Sequence, residues 1–167
     1  YSLAIKRGND ALGVYDENDP AMLIYKLILD NNFGSAFMNI GTYEEAVRIF
    51  RESIEISTKR AGDFYLDYLL PNLARALSLA GSNEALDKLD EAIAAHRDHP
   101  DEFMAGVAHL YTSLTYIERR DWERASSEAE EALRVALVHE DEKLESMAQM
   151  AVAQVLRGKG KKEKALE

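Results

Sequence analysis

The chain has 167 residues and a mass of 18.8 kDa, which is enough for one domain with a buried core. Its net charge of -10 and pI near 4.9 argue against direct binding to nucleic acid or to an anionic membrane, because both need a cationic face. No apolar run approaches the roughly 18 residues of a membrane span, and the absence of cysteine excludes disulfides, thiolate metal sites and cysteine nucleophiles. A cysteine-free chain fits a reducing compartment, so we expect a cytoplasmic protein.

Helices are predicted along the whole chain, because apolar residues recur at the 3.6-residue spacing of amphipathic helices and strand-like alternation is absent. Asp19-Pro20 and His99-Pro100 mark helix starts, since proline is favoured at the first helical position. Pro71 falls inside a predicted helix, which we expect to bend or to start a new turn near residues 67–70. The nine predicted helices span residues 2–15, 20–40, 43–60, 63–80, 84–97, 100–119, 121–138, 141–158 and 161–167.

A short corner sequence recurs four times between these helices. Glycine closes one helix in the left-handed conformation, a polar residue caps the next helix, and an alanine one turn later lets two helices approach closely. Thr42 with Glu45 has the spacing of a capping box, and Asp121 is placed to cap the third copy. The alanines lie 39, 40 and 40 residues apart, at Ala46, Ala85, Ala125 and Ala165. This spacing predicts a tandem array of helix–turn–helix units.

The residues of these units resemble the tetratricopeptide repeat (TPR). They are Phe33, Gly34, Ala36, Phe37, Gly41, Tyr43, Ala46, Phe50 and Ile54 in the first copy, then Leu73, Ala74, Ala76, Leu77, Gly81, Ala85 and Leu89, then Ser113, Tyr116, Trp122, Ala125 and Ala132, and finally Val152, Ala153, Leu156, Gly160 and Ala165. The third copy departs from the pattern with Arg120 where glycine is usual. The period of about 40 residues exceeds the usual 34 or so, as in regulatory members of the family that include bacterial transcription activators. HEAT repeats have about this period and are the alternative fold, but the glycine and alanine of the corner argue against them.

The resemblance implies an all-α fold, a right-handed superhelix of antiparallel helix pairs. We expect a single repeat domain over residues 1–167. It comprises a partial leading helix at 1–18, repeats at 19–60, 61–98 and 99–139, and a truncated fourth repeat at 140–167. Because the last predicted helix stops after its first turns, we expect the chain to be a piece of a longer protein.

The sequence carries only weak patterns for metal binding, phosphate binding or catalysis. His96 and His99 have a spacing that can hold a metal. They also lie at a predicted helix end followed by proline, where the helix dipole and solvent exposure favour histidine without any metal. Residues 157–162 carry glycines and lysines but lack the glycine spacing and the hydroxyl residue of a phosphate-binding loop. We therefore expect no enzymatic activity, no metal and no cofactor.

In the family, the first helix of each pair lines a concave groove in which a peptide or partner helix lies. Asparagine can bind a peptide backbone through both donor and acceptor atoms, and arginine can pair with an acidic group. The resemblance places on this groove Asn31, Asn32, Ser35, Met38, Asn39, Tyr68, Asn72, Arg75, Tyr111, Leu114, Gln154 and Arg157. Pro71 is predicted on the same side, where a bend either leaves a carbonyl free for a ligand or only fits the helix to its neighbours.

The sequence therefore predicts a non-catalytic scaffold or sensor module that binds a protein or peptide segment. One alternative is a structural module that forms a homodimer by stacking its end helices. The other is an effector-sensing domain of a transcription activator.

Overall fold

A computed structural model describes residues 19–63, 65–96 and 103–160, and within these ranges the regular structure is α-helical without strands. All seven helices in these ranges lie where the sequence predicts a helix. The helices predicted at 2–15 and 161–167 lie outside the described residues. The helices are α1 (Pro20–Asn39), α2 (Tyr43–Arg60), α3 (Leu66–Leu79), α4 (Glu84–Ala95), α5 (Phe103–Glu118), α6 (Trp122–His139) and α7 (Glu142–Gly158).

Aspartate side chains begin three of these helices. Asp19, Asp121 and Asp141 each accept a hydrogen bond from a backbone N–H of the first turn, at distances of 2.9, 3.2 and 2.7 Å. Proline follows Asp19 at the first position of α1. These contacts confirm the predicted starts of α1 and α6, whereas the start predicted at 99–100 lies outside the described residues.

The capping box predicted at the start of α2 is wrong. The hydroxyl of Thr42 donates to the carbonyl of Phe37 at 3.2 Å, so it serves the end of α1 instead of the start of α2. Glu45 is paired with Arg48, whose hydrogen bond lowers the pKa of the Glu45 carboxyl. The Phe37 carbonyl, which also accepts the Thr42 backbone N–H at 3.0 Å, binds the Thr42 hydroxyl, and Arg48 binds Glu45. Both side chains of the box are thus engaged elsewhere.

The predicted left-handed corners are confirmed in the helix connections. Gly41, Gly81 and Gly160 have φ angles of +83°, +75° and +77°. Arg120 stands at the equivalent place with a φ of +60°. The third corner therefore has the left-handed backbone conformation, although it lacks the glycine that adopts this conformation with the least strain.

Replacing Arg120 with glycine should raise the free energy of unfolding by about 0.5–1 kcal/mol, because the left-handed strain is removed. Urea denaturation followed by helical circular dichroism measures the change. Arg119→Gly is the matched control, because Arg119 precedes the corner without a positive φ angle, and it should lower stability. A loss of stability in both variants would contradict the prediction.

The chain divides into two compact units, residues 1–83 and 84–167. In unit 1, α1 packs on α2, α2 packs on α3, and α1 also contacts α3. In unit 2, α4 packs on α5, α5 on α6 and α6 on α7, and α5 also contacts α7. Within each unit, sequential helices therefore pack together and the first helices of successive pairs lie side by side.

The corner alanines lie in the cores of the units. Ala46, Ala85 and Ala125 have no exposed surface. Small residues continue along α6 and α7, where five alanines pack with Leu110 and Leu144. Close approach of the helices thus rests on small side chains, as the corner pattern predicts.

Candidate functional site

In unit 1, two of the predicted groove residues bind each other. The Asn72 side-chain N–H donates to the side-chain oxygen of Asn31 at 2.8 Å, and each residue is only 8% exposed. Tyr65 makes a further hydrogen bond with Asn31, while burial, as the main cause, raises the pKa of the Tyr65 hydroxyl. The two asparagines thus hold α1 and α3 together. The Asn72 N–H and the Asn31 oxygen that make this bond are already in use within the chain.

The other predicted residues of unit 1 reach the surface to different extents. Asn32 and Asn39 are exposed, whereas Ser35, Met38 and Arg75 are half-buried, and Arg75 has a partner within the chain. Tyr68 is 37% exposed and stacks on Tyr65, with ring centroids 4.4 Å apart and planes 8° from parallel. Several of the groove residues predicted in unit 1 are therefore already engaged in contacts within the chain.

Pro71 does not face a groove. Its ring is fully buried, so it faces the packed interior of unit 1 and the predicted groove position is wrong. Helix α3 begins at Leu66, later than predicted, after a turn in which Gly62, Asp63 and Tyr65 have positive φ angles. This late start places Pro71 in the second helical turn, where its buried ring contributes packing.

In unit 2, the predicted residues lie on two neighbouring helices. Tyr111 and Leu114 are partly exposed on α5, and Gln154 and Arg157 are half-buried and exposed, respectively, on α7. The two helices approach closely at Gly106, where an added Cβ would lie 2.9 Å from Leu144. The structure thus brings the predicted residues of α5 and α7 onto adjacent helices.

Two polar contacts were not predicted from the sequence. The ammonium of Lys26 pairs with Asp30, to which the Ser53 hydroxyl donates at 3.0 Å. In unit 2, Nδ1 of His109 lies 2.7 Å from a carboxylate oxygen of Glu128. The Ser53–Asp30 and His109–Glu128 contacts each join a first helix to the second helix of its pair. Lys26 and Asp30 both lie on α1, and their spacing of four residues was the one available signal.

The described residues hold no group of three or more histidine or acidic side chains arranged to bind a metal. His96 is 4% exposed, whereas His99 lies outside the described ranges, so the predicted spacing of this pair stays a prediction. Among the described helices, none combines the length and the apolar character needed to cross a membrane.

No known protein family matches the sequence, and no curated protein is similar to it. The likeness to the tetratricopeptide repeat therefore rests on the residues and helix corners given above.

Proposed function

We propose that the chain is a non-catalytic, TPR-like module of right-handed superhelical type that binds a protein or peptide segment on the first helices of its pairs. The left-handed corners, the buried corner alanines and the packing of first helices side by side in each unit support this proposal. A repeated helix pair leaves one side of its first helices available to a partner.

The observation that carries the proposal is an apolar surface in unit 2. Val107, Tyr111 and Leu114 lie along α5 and remain partly exposed while they pack on the core. On α7, Met147 is also partly exposed and Met150 is 62% exposed. We call these five residues the unit-2 face. Methionine and aromatic side chains beside one another are typical of surfaces that bind other proteins.

The non-catalytic part of the proposal is supported by what the buried polar side chains do. Asn31 binds Asn72, and Asp30 binds Lys26 and Ser53, so these groups hold helices together. Their hydrogen-bonding capacity serves the packing of unit 1.

Selection from a display library of random peptides against the immobilised chain tests the proposal. We expect binders whose affinity falls at least about tenfold, or ~1.4 kcal/mol, in the variant Met150→Glu, because a carboxylate then enters an apolar contact. Leu137→Glu is the matched control, since Leu137 is 57% exposed on α6 and lies outside the face. Failure to select any binder, or equal losses in the two variants, would refute the proposal.

A further inference from the structure

Helix α1 is apolar on two sides. The side that packs in unit 1 carries Leu23 and Leu27, which are 5% and 0% exposed. A second row lies roughly opposite when residues are placed at about 100° intervals, and its Tyr25 is 69% exposed. We call this row the α1 outer stripe, and it consists of Met22, Tyr25, Leu29, Ala36 and Ile40. Because a surface helix needs only one apolar side, the second side indicates that a further element packs against α1.

The later first helices bury the positions that α1 leaves partly open. Leu29 and Ala36 are half-buried on α1, whereas the residues at the equivalent places of α3, α5 and α7 are no more than 1% exposed. Counted back from the left-handed corner residues, these are Leu69 and Ala76, Ala108 and Thr115, and Ala148 and Val155. A second helix precedes each of these three helices and packs on it, namely α2 on α3, α4 on α5 and α6 on α7. Helix α1 is the first helix of the described ranges, so the corresponding helix must come from outside them.

The sequence before α1 repeats a spacing that the second helices share. In each second helix, or at its end, four residues at i, i+4, i+7 and i+11 are buried, beginning with the corner alanine. They are Ala46, Phe50, Ser53 and Ser57, then Ala85, Leu89, Ala92 and His96, then Ala125, Ala129, Ala132 and Ala136. Within the helix predicted at residues 2–15, Ala4, Gly8, Ala11 and Tyr15 follow the same spacing. Residues 1–18 lie outside the described ranges, and their sequence has the pattern of a second helix.

The length of this segment and its attachment to α1 also fit. Residues 16–19 connect the predicted helix to α1, which begins at Pro20. A connection this short is typical of two helices that lie side by side and antiparallel. A helix over residues 2–15 is about 21 Å long, and the outer stripe from Met22 to Ala36 also extends about 21 Å. The segment therefore has the reach to cover most of the stripe.

We propose that residues 4–15 pack as a helix on the α1 outer stripe, antiparallel to α1, and form the second helix of a preceding pair. The chain itself then occupies this side of α1, which is closed to a second copy and to an external partner. The inference concerns unit 1 alone and does not depend on peptide binding by the unit-2 face. Either one can therefore fail without the other.

Engineered cysteine pairs in the full chain test the inference, because the chain has no cysteine of its own. Ala11 and Leu29 take the places that Ala132 and Ala148 have in the core cluster of unit 2. On mild oxidation, Ala11→Cys with Leu29→Cys should form an intramolecular disulfide, since packed helices bring such positions within bonding reach. The control is Asp10→Cys with Leu29→Cys, because Asp10 lies on the other side of the predicted helix. We expect its disulfide to form slower by about tenfold or more.

Non-reducing electrophoresis and size-exclusion chromatography separate the possible occupants of the stripe. A fast disulfide within the monomer supports the inference. Equal rates for the two cysteine pairs would overturn it, because contact with Leu29 would then not depend on the side of the predicted helix. Disulfide-linked dimers in place of the intramolecular bond would also overturn it, since a second copy would then occupy the stripe.

Hydrogen exchange of the full chain, followed by mass spectrometry, tests the same contact without cysteines. Tyr25→Asp should raise the exchange rate of residues 4–15 by about tenfold or more, because a carboxylate would then enter an apolar contact. Ile24→Asp is the matched control, since Ile24 is 37% exposed, lies outside the stripe and gains the same charge. It should leave the exchange of residues 4–15 unchanged. Residues 4–15 that exchange without protection in the unmodified chain, or that respond equally to both variants, would overturn the inference.

Discussion

Replacing Lys26 with methionine is expected to lower the free energy of unfolding by about 3 kcal/mol. The ammonium of Lys26 pairs with Asp30, which is 6% exposed and accepts one further hydrogen bond from the fully buried Ser53. Loss of the ammonium would leave a buried carboxylate with a neutral donor only. Breaking a buried pair from one side costs about 3–5 kcal/mol, and the 20% exposure of the Lys26 side chain places this pair at the lower end.

A combined variant shows whether the cost comes from the uncompensated carboxylate. Lys26→Met together with Asp30→Leu and Ser53→Ala should recover most of the lost stability, because no buried polar group is then left without a partner. Lys59→Met is the control, since its pair with Glu55 is exposed and its loss should leave the free energy of unfolding nearly unchanged. Urea denaturation measures all variants, and similar losses for Lys26 and Lys59 would contradict the explanation.

The sequence predicted the described helices because their signals are local. All seven begin and end within three residues of the predicted bounds. Apolar periodicity, Asp19 before a proline, and glycines at Gly41 and Gly81 each act over a few neighbouring residues. Arg120 shows that the backbone of a corner can persist without its glycine, since the helices on both sides fix the turn.

The contacts between helices that the sequence analysis missed join residues that are far apart in the chain. Ser53 and Asp30 are 23 residues apart, and Asn72 and Asn31 are 41 apart. Alignment to a repeat places asparagines on a face but does not reveal that two of them bind each other. The same applies to Pro71, since whether its ring faces solvent or core depends on where α3 begins. Tertiary packing thus decides which of the predicted residues are exposed.

Phe50 shows how tightly the first helix pair is packed. An added Cβ at Gly34 on α1 would lie 2.3 Å from the tip of the Phe50 ring and within 2.7 Å of two further ring atoms. The ring is fully buried and surrounded by packed helices, so it has no solvent-facing position into which to turn. Gly34 therefore keeps α1 and α2 at their observed separation, although glycine inside a helix costs about 1 kcal/mol relative to alanine.

The substitution Gly34→Ala should lower the free energy of unfolding by about 2 kcal/mol, because overpacking at the upper end of its usual cost is only partly offset by the better helix propensity of alanine. Phe50→Leu should be destabilising alone but should remove about 1–2 kcal/mol of the penalty in the double variant, a coupling typical of residues in direct contact. Gly158→Ala is the comparison, since an added Cβ there lies 2.6 Å from the Trp122 ring, yet this ring is half-buried and can move towards solvent. The free energy of unfolding should therefore fall less in Gly158→Ala than in Gly34→Ala. Additive effects of Gly34→Ala and Phe50→Leu in urea denaturation would mean that the ring does not set the distance between α1 and α2.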